Sequence, residues 1–146
     1  MGFSKEFLDS QSPEEQERLA RLFDNLSPRK KKSPANELTD AICKYVRSCG
    51  GAAARINVMG IYDQKKGSFR PSGSTKGVED VTCIKPVYVS NIKVGMTVAV
   101  EVKIGKDRMS EDQEKRKVAV ESAGGVYIVA KTFDQFKTDW DNITVG

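Results

Sequence analysis

Thr97-Val98-Ala99-Val100-Glu101-Val102-Lys103-Ile104 alternates without a break. Val98, Val100, Val102 and Ile104 fall on one face, Thr97, Ala99, Glu101 and Lys103 on the other. A period of two is the signature of a strand, so this stretch is predicted to press its valine face into a core. Its opposite face runs from two small residues into two charged ones. At about 3.3 Å per residue, Glu101 and Lys103 share that face within about 7 Å of each other.

The neighbouring elements follow outward from this strand. Upstream, Asp80 leads into a short strand, Val81-Thr82-Cys83-Ile84. If the two strands pair as a hairpin, the Asp80 carboxylate converges on Glu101. Residues 86–96 make the connection longer than a tight hairpin, and a separate hairpin there would change the register between the two acids. Downstream, Ser110-Glu111-Asp112-Gln113 is a capping box that opens a helix closed by Gly124-Gly125. Residues 126–130 are apolar on both faces, as in a buried central strand, and Thr132 caps a last helix bearing Phe133, Phe136 and Trp140.

Before the acidic strands, Ser33-Pro34 starts a helix whose stripe is Leu38, Ala41, Ile42, Tyr45, Val46 and Cys49, ended by Gly50-Gly51. Ala54 to Met59 reads as a strand with Ile56 and Val58 inward, and residues 63–77 as a polar, mobile loop. Ser12-Pro13-Glu14-Glu15 opens an additional helix with Leu19, Leu22, Phe23 and Leu26 on one side. Ser27-Pro28 stops it, and Arg29-Lys30-Lys31-Lys32 forms a basic linker. The reading is an N-terminal helix and linker, residues 1–32, followed by a mixed α/β domain, residues 33–146, with no internal repeat.

Composition narrows the chemistry. The 146 residues contain no histidine, which excludes Ser-His-Asp and Cys-His nucleophile systems. Cys43, Cys49 and Cys83 show no C-x-x-C spacing, so neither a zinc knuckle nor a redox dithiol is indicated. A net charge of +4 permits an anionic partner. No apolar run is long enough to span a bilayer and no signal peptide opens the chain, so a cytoplasmic protein without a membrane partner is expected. A hydrolase of this composition must work through carboxylates, a lysine and a hard cation. Two converging carboxylates hold Mg²⁺ by oxygen ligation, and a nearby ammonium orients or stabilises an attacking water. With 10 glutamates and 16 lysines, chance alone supplies about one E-x-K triplet, so Glu101-Val102-Lys103 gains meaning only from its surroundings.

Those surroundings resemble a known family. Thr75-Lys76-Gly77-Val78-Glu79-Asp80, then Glu101 to Ser110, Gln113, and Gly124-Gly125-Val126-Tyr127-Ile128-Val129-Ala130 are similar, in order, to a VRR-NUC domain. This is a branch of the PD-(D/E)XK nuclease superfamily, and the likeness covers roughly residues 35–136. The resemblance implies a restriction-endonuclease-like αβββαβ core with a mixed central sheet, and DNA cleavage dependent on Mg²⁺ or Mn²⁺. It assigns Asp80, Glu101 and the Val102 backbone carbonyl to the metal, and Lys103 to catalysis. Glu37 matches a supporting acid on the first core helix, and Gln113 the glutamine that follows the E-x-K strand. Small stand-alone relatives resemble Holliday-junction resolvases, tend to be homodimers and are often of phage origin, which places the protein in a bacterial or phage-infected cell.

The likeness is not complete. Glu79 stands where the superfamily has proline, and by strand alternation it is expected to point away from Asp80, so it is not counted as a ligand. Gln113 is equally explained as the closing residue of its capping box, and Glu37 as a favourable first-turn anion. Arg55, Asn57, Lys76, Lys106 and Arg108 are candidate DNA contacts, as are Lys65, Lys66 and Arg70 in the polar loop, or else simply solvated charges. Two functions follow: a metal-dependent DNA endonuclease acting on branched or duplex DNA as a homodimer helped by the N-terminal helix, or a non-catalytic nucleic-acid-binding module that retains the nuclease fold.

Overall fold

The structure, a computed structural model, describes residues 9–26, 31–58, 62–69, 73 and 75–145, the side chains of 20–26 excepted. The chain separates into two compact units, Met1–Lys32 and Ser33–Gly146. In the first, helix α1 spans Pro13–Leu26. Its cap is Ser12, whose hydroxyl accepts the Glu15 amide at 3.3 Å. The Glu15 carboxylate lies 3.6 Å from Arg18 and does not return to the cap. The side chains of Leu22, Phe23 and Leu26, and residues 27–30 of the linker, lie outside the described residues.

The second unit holds α2 (Pro34–Ser48), β1 (Ala52–Arg55), β2 (Tyr62–Asp63), β3 (Ser68–Phe69), β4 (Val81–Val89), β5 (Ile92–Val102), α3 (Glu111–Ser122), β6 (Val126–Ala130) and α4 (Phe133–Asp141). Four strands form one mixed sheet in the order β1-β4-β5-β6; β5 is antiparallel to β4 and parallel to β6. Leu38, Ile42, Cys43 and Val46 of α2 and Phe136 and Trp140 of α4 pack on one face, against Val81, Cys83, Val98, Val100, Val102, Ile128 and Ala130. On the other face Val120 of α3 packs against Ala99 and Tyr127, with Met109 and Val129 at the margin. The alternation of residues 97–104 is thus a division between two cores.

Four elements differ from the sequence reading. β4 does not stop at Ile84 but runs to Val89, and β5 begins at Ile92, so residues 86–96 extend the same hairpin. Pro86, which suggests a break, sits beyond the last β1 partner at Ile84, on an open strand edge where its missing N–H costs no ladder bond. Ser90 and Asn91 close the hairpin with φ of 48° and 68°, the pair of left-handed residues a two-residue type I′ turn requires. β1 ends at Arg55 because β4 starts at its partner Val81, and Val58 is 45% exposed, not inward. Part of the expected loop is a small hairpin, β2–β3. β6 is an edge strand of the sheet, not a central one; its two apolar faces reflect α3 on one side and α4 on the other.

Candidate active site

The unbroken β4–β5 register decides the geometry. Val81 lies opposite Val100 at the end of the ladder, and continuing that register by one step sets Asp80 beside Glu101, whose carboxyl feels its charge. The chain is tied there from both sides. The Ile56 amide donates to the Asp80 carbonyl at 2.8 Å, and the Val102 amide donates to Asp80 Oδ2 at 2.8 Å. Val102 therefore sits between the two acids, with its side chain in the core.

Glu101 is 2% exposed. Its Oε1 accepts from Gln113 Nε2 at 2.5 Å and from Lys103 Nζ at 3.1 Å. Its Oε2 is buried and has no hydrogen-bond partner. Burial, and then the charge of Asp80, push the Glu101 carboxyl up to about 7, against the opposing pull of Lys103. Lys103 is 7% exposed, with Asp107 Oδ2 on its other side at 3.5 Å.

Gln113 performs both of the roles its position allows. Its Oε1 accepts the Ser110 amide at 2.8 Å and its own amide donates to Ser110 Oγ at 3.3 Å, completing the capping box. Its remaining amide nitrogen is the one that holds Glu101. The first turn of α3 is thereby fastened to the acidic strand by one side chain.

Glu79 lies before β4 begins, so strand alternation does not govern it, and it turns toward α3. Its Oε2 accepts from Arg116 Nε at 2.9 Å, while its Oε1 accepts from Arg116 Nη2 at 3.2 Å and from Thr82 Oγ1 at 3.0 Å. Burial alone would raise its carboxyl, but these donors outweigh burial and hold it below the ordinary range. Gly77, with φ of 73°, lies against the backbone of Asp112 and Gln113; a Cβ there would come within 2.7 Å of the Gln113 nitrogen. Gly77 and Glu79 thus hold this segment against α3, while Asp80 at its end is tied to Ile56 and Val102. Tyr127, also on the α3 side of the sheet, has a buried hydroxyl with no partner. Burial, then the charges of Glu101, Glu79 and Asp80, raise its phenol above the usual range.

Asp80, Glu101, Lys103 and Gln113 thus come together. Glu37 does not join them: it is exposed on the first turn of α2, and among the described residues no side-chain hydrogen bond or ion pair reaches it. Arg55, Asn57, Lys76, Lys106 and Arg108 are all exposed. Arg55 and Asn57 flank the Ile56–Asp80 contact, with Arg55 donating to Asn36 Oδ1. Lys76 adjoins Gly77, and Lys106 and Arg108 lie on the turn between β5 and α3. The sequence reading missed Arg116, and it quoted Gly77 and Tyr127 only within the motifs, without a role for either. No spacing in α3 signals which of its many charges turns inward, since Val120 is its one buried residue.

No described group of three or more acidic, cysteine or histidine side chains could enclose a metal by itself. Mg²⁺ does not need such a cage: it takes one or two carboxylates and keeps waters or phosphate oxygens in its other positions. Two neighbouring carboxylates, Asp80 and Glu101, the latter with a buried oxygen lacking a hydrogen-bond partner, fit that requirement. Compared with family models, curated proteins and solved structures, the chain matches none.

Proposed function

We propose that the protein is a DNA endonuclease dependent on Mg²⁺ or Mn²⁺. The observation that carries this reading is Glu101 Oε2, a buried carboxylate oxygen without a hydrogen-bond partner, on a side chain that feels the charge of Asp80 and is flanked by a buried lysine. Such an atom is costly to fold around unless something polar occupies the space beside it. Asp80, Glu101 and the Val102 carbonyl would hold the cation, which supplies charge stabilisation at a phosphate and lowers the pKa of bound water. The chain's own contributions are distinct. Gln113 fixes the rotamer of Glu101, the Val102 amide fixes Asp80, and the Lys103 ammonium donates to the attacking water or the developing phosphate charge.

The sheet order and the sequence of elements from Pro34 — helix, three antiparallel strands, helix, parallel strand, with β2–β3 inserted — support an αβββαβ nuclease core. A purely binding module has no use for two carboxylates directed toward phosphates, and the burial of Lys103 removes it from any simple electrostatic role in binding. Arg55, Asn57, Lys76, Lys106 and Arg108 would contact the backbone of branched or duplex DNA. The working unit is a homodimer, since paired sites suit a substrate with two equivalent strands. The exposed Tyr88, Ile92 and Val94 at the far end of the β4–β5 hairpin offer apolar surface for it. Labelled duplex, flap and four-way-junction DNA, incubated with pure protein in Mg²⁺, Mn²⁺ or EDTA, test the reading. Cleavage of at least one substrate is expected with metal and none in EDTA; three intact substrates in both metals would refute it.

A further inference from the structure

We infer that the β2–β3 hairpin is a stacking site for unpaired nucleobases, so that the substrate carries single-stranded nucleotides beside the cleavage point; this rests on the nuclease reading. Tyr62 and Phe69 face each other across the hairpin, edge to face, with ring centroids 5.2 Å apart. They remain 52% and 67% exposed. Two residues per strand make a hairpin that is marginal in water, and rings this open contribute little to a core. More than half of each residue is open to solvent, and an exposed aromatic ring accepts any base in a sequence-tolerant way.

The charge around the rings selects the occupant. Lys65 and Lys66 are exposed at the turn between the two strands. The single acid of the hairpin, Asp63, turns its Oδ1 onto the Lys65 amide at 3.0 Å. Open aromatic faces beside a cationic turn suit a nucleic-acid strand better than an apolar peptide. A base inside a duplex is already stacked on both sides, so the rings favour an unpaired one.

Topology brings this hairpin to the acids. It is inserted between β1 and β4, and β1 leaves the sheet at the Ile56–Asp80 contact. Tyr62 is five Cα steps beyond Asn57, and a fully extended chain covers at most about 3.6 Å for each step. The Tyr62 Cα therefore lies within about 18 Å of the Asn57 Cα, about five base steps along a strand.

Fluorescence anisotropy in EDTA, comparing a single-stranded flap substrate with a duplex of equal length, tests this without any cleavage. The parent is expected to bind the flap about tenfold more tightly, and Phe69→Leu or Tyr62→Leu to bring that ratio close to one. A parent with no preference, or leucine variants that keep it, would overturn the inference. Leucine variants that change the light-scattering mass instead of the preference would also overturn it, marking the hairpin as a protein contact. Lys65→Ala/Lys66→Ala leaves the rings in place and is expected to lower the salt slope of flap binding by about 1.4; an unchanged slope counts against the inference. The nuclease reading is judged separately. Cleavage that depends on Glu101, without any flap preference, refutes only the hairpin, and flap preference without cleavage refutes only the nuclease.

Discussion

Lys103 is buried between Glu101 and Asp107 and so is placed by its neighbours, not by solvent. Because it is not a metal ligand in this account, Lys103→Ala is expected to keep Mn²⁺ binding, read by calorimetry, while turnover falls about 100-fold or more. Unchanged turnover would leave the lysine a structural counter-charge. Arg116 tests a different residue-scale claim. Its removal leaves a Glu79 carboxylate that is 2% exposed without its cation and with Thr82 as the remaining side-chain donor, so Arg116→Ala is expected to cost about 3 kcal/mol in urea denaturation near pH 7. The folded-state carboxyl of Glu79 is lowered, so its stabilisation is present above the ordinary carboxylate range and lost as pH falls through the folded value. The gap between parent and variant should accordingly narrow as pH is lowered from 7 toward 3. A gap that persists in acid would show that Arg116 acts through packing. Asp80, Glu101, Lys103 and Gln113 are legible in the sequence because the alternation around the E-x-K triplet, the resemblance to the nuclease family and the Ser110 capping box single them out together. Glu79 departs from the alternation because it lies two residues before β4 begins, where the strand period does not govern it.

At the scale of elements, Gly77 and Gly50 separate two costs that a single substitution usually mixes. Both have positive φ, 73° and 78°. Around Gly50 a Cβ would meet nothing within 4 Å, so Gly50→Ala is expected to cost about 1 kcal/mol of left-handed backbone strain alone. At Gly77 the Cβ would press on the first turn of α3, adding about 1–3 kcal/mol and pushing Gln113 away from Glu101. Gly77→Ala is therefore expected to lose cleavage as well as stability, and Gly50→Ala stability alone. Equal denaturation midpoints for the two variants would contradict the pinning of segment 77–80 to α3. The elements themselves were largely legible, since caps at Ser33, Ser110 and Thr132 and the valine face of β5 leave few alternatives. What could not be read was their edges. Pro86 and the glycine-free Ser90-Asn91 turn hide the length of the β4–β5 hairpin, and a strand buried by helices on both faces looks central even at the edge of its sheet.

For the whole molecule, a net charge of +4 on 146 residues is modest, so in the proposed reading affinity for DNA would come from where the positive groups sit, not from their total. The homodimer is tested by light scattering of the full chain at micromolar concentration, where twice the chain mass is expected and a single chain mass would contradict it. The central claim is that Asp80 and Glu101 form one metal site for cleavage, and paired assays on Asp80→Ala and Glu101→Ala test it most directly. Both variants are expected to lose metal-dependent cleavage of labelled DNA while binding it, by anisotropy, at least as tightly as the parent, because in the proposed reading each removes an acid from beside the phosphates. Cleavage at the parent rate by either variant would contradict the account.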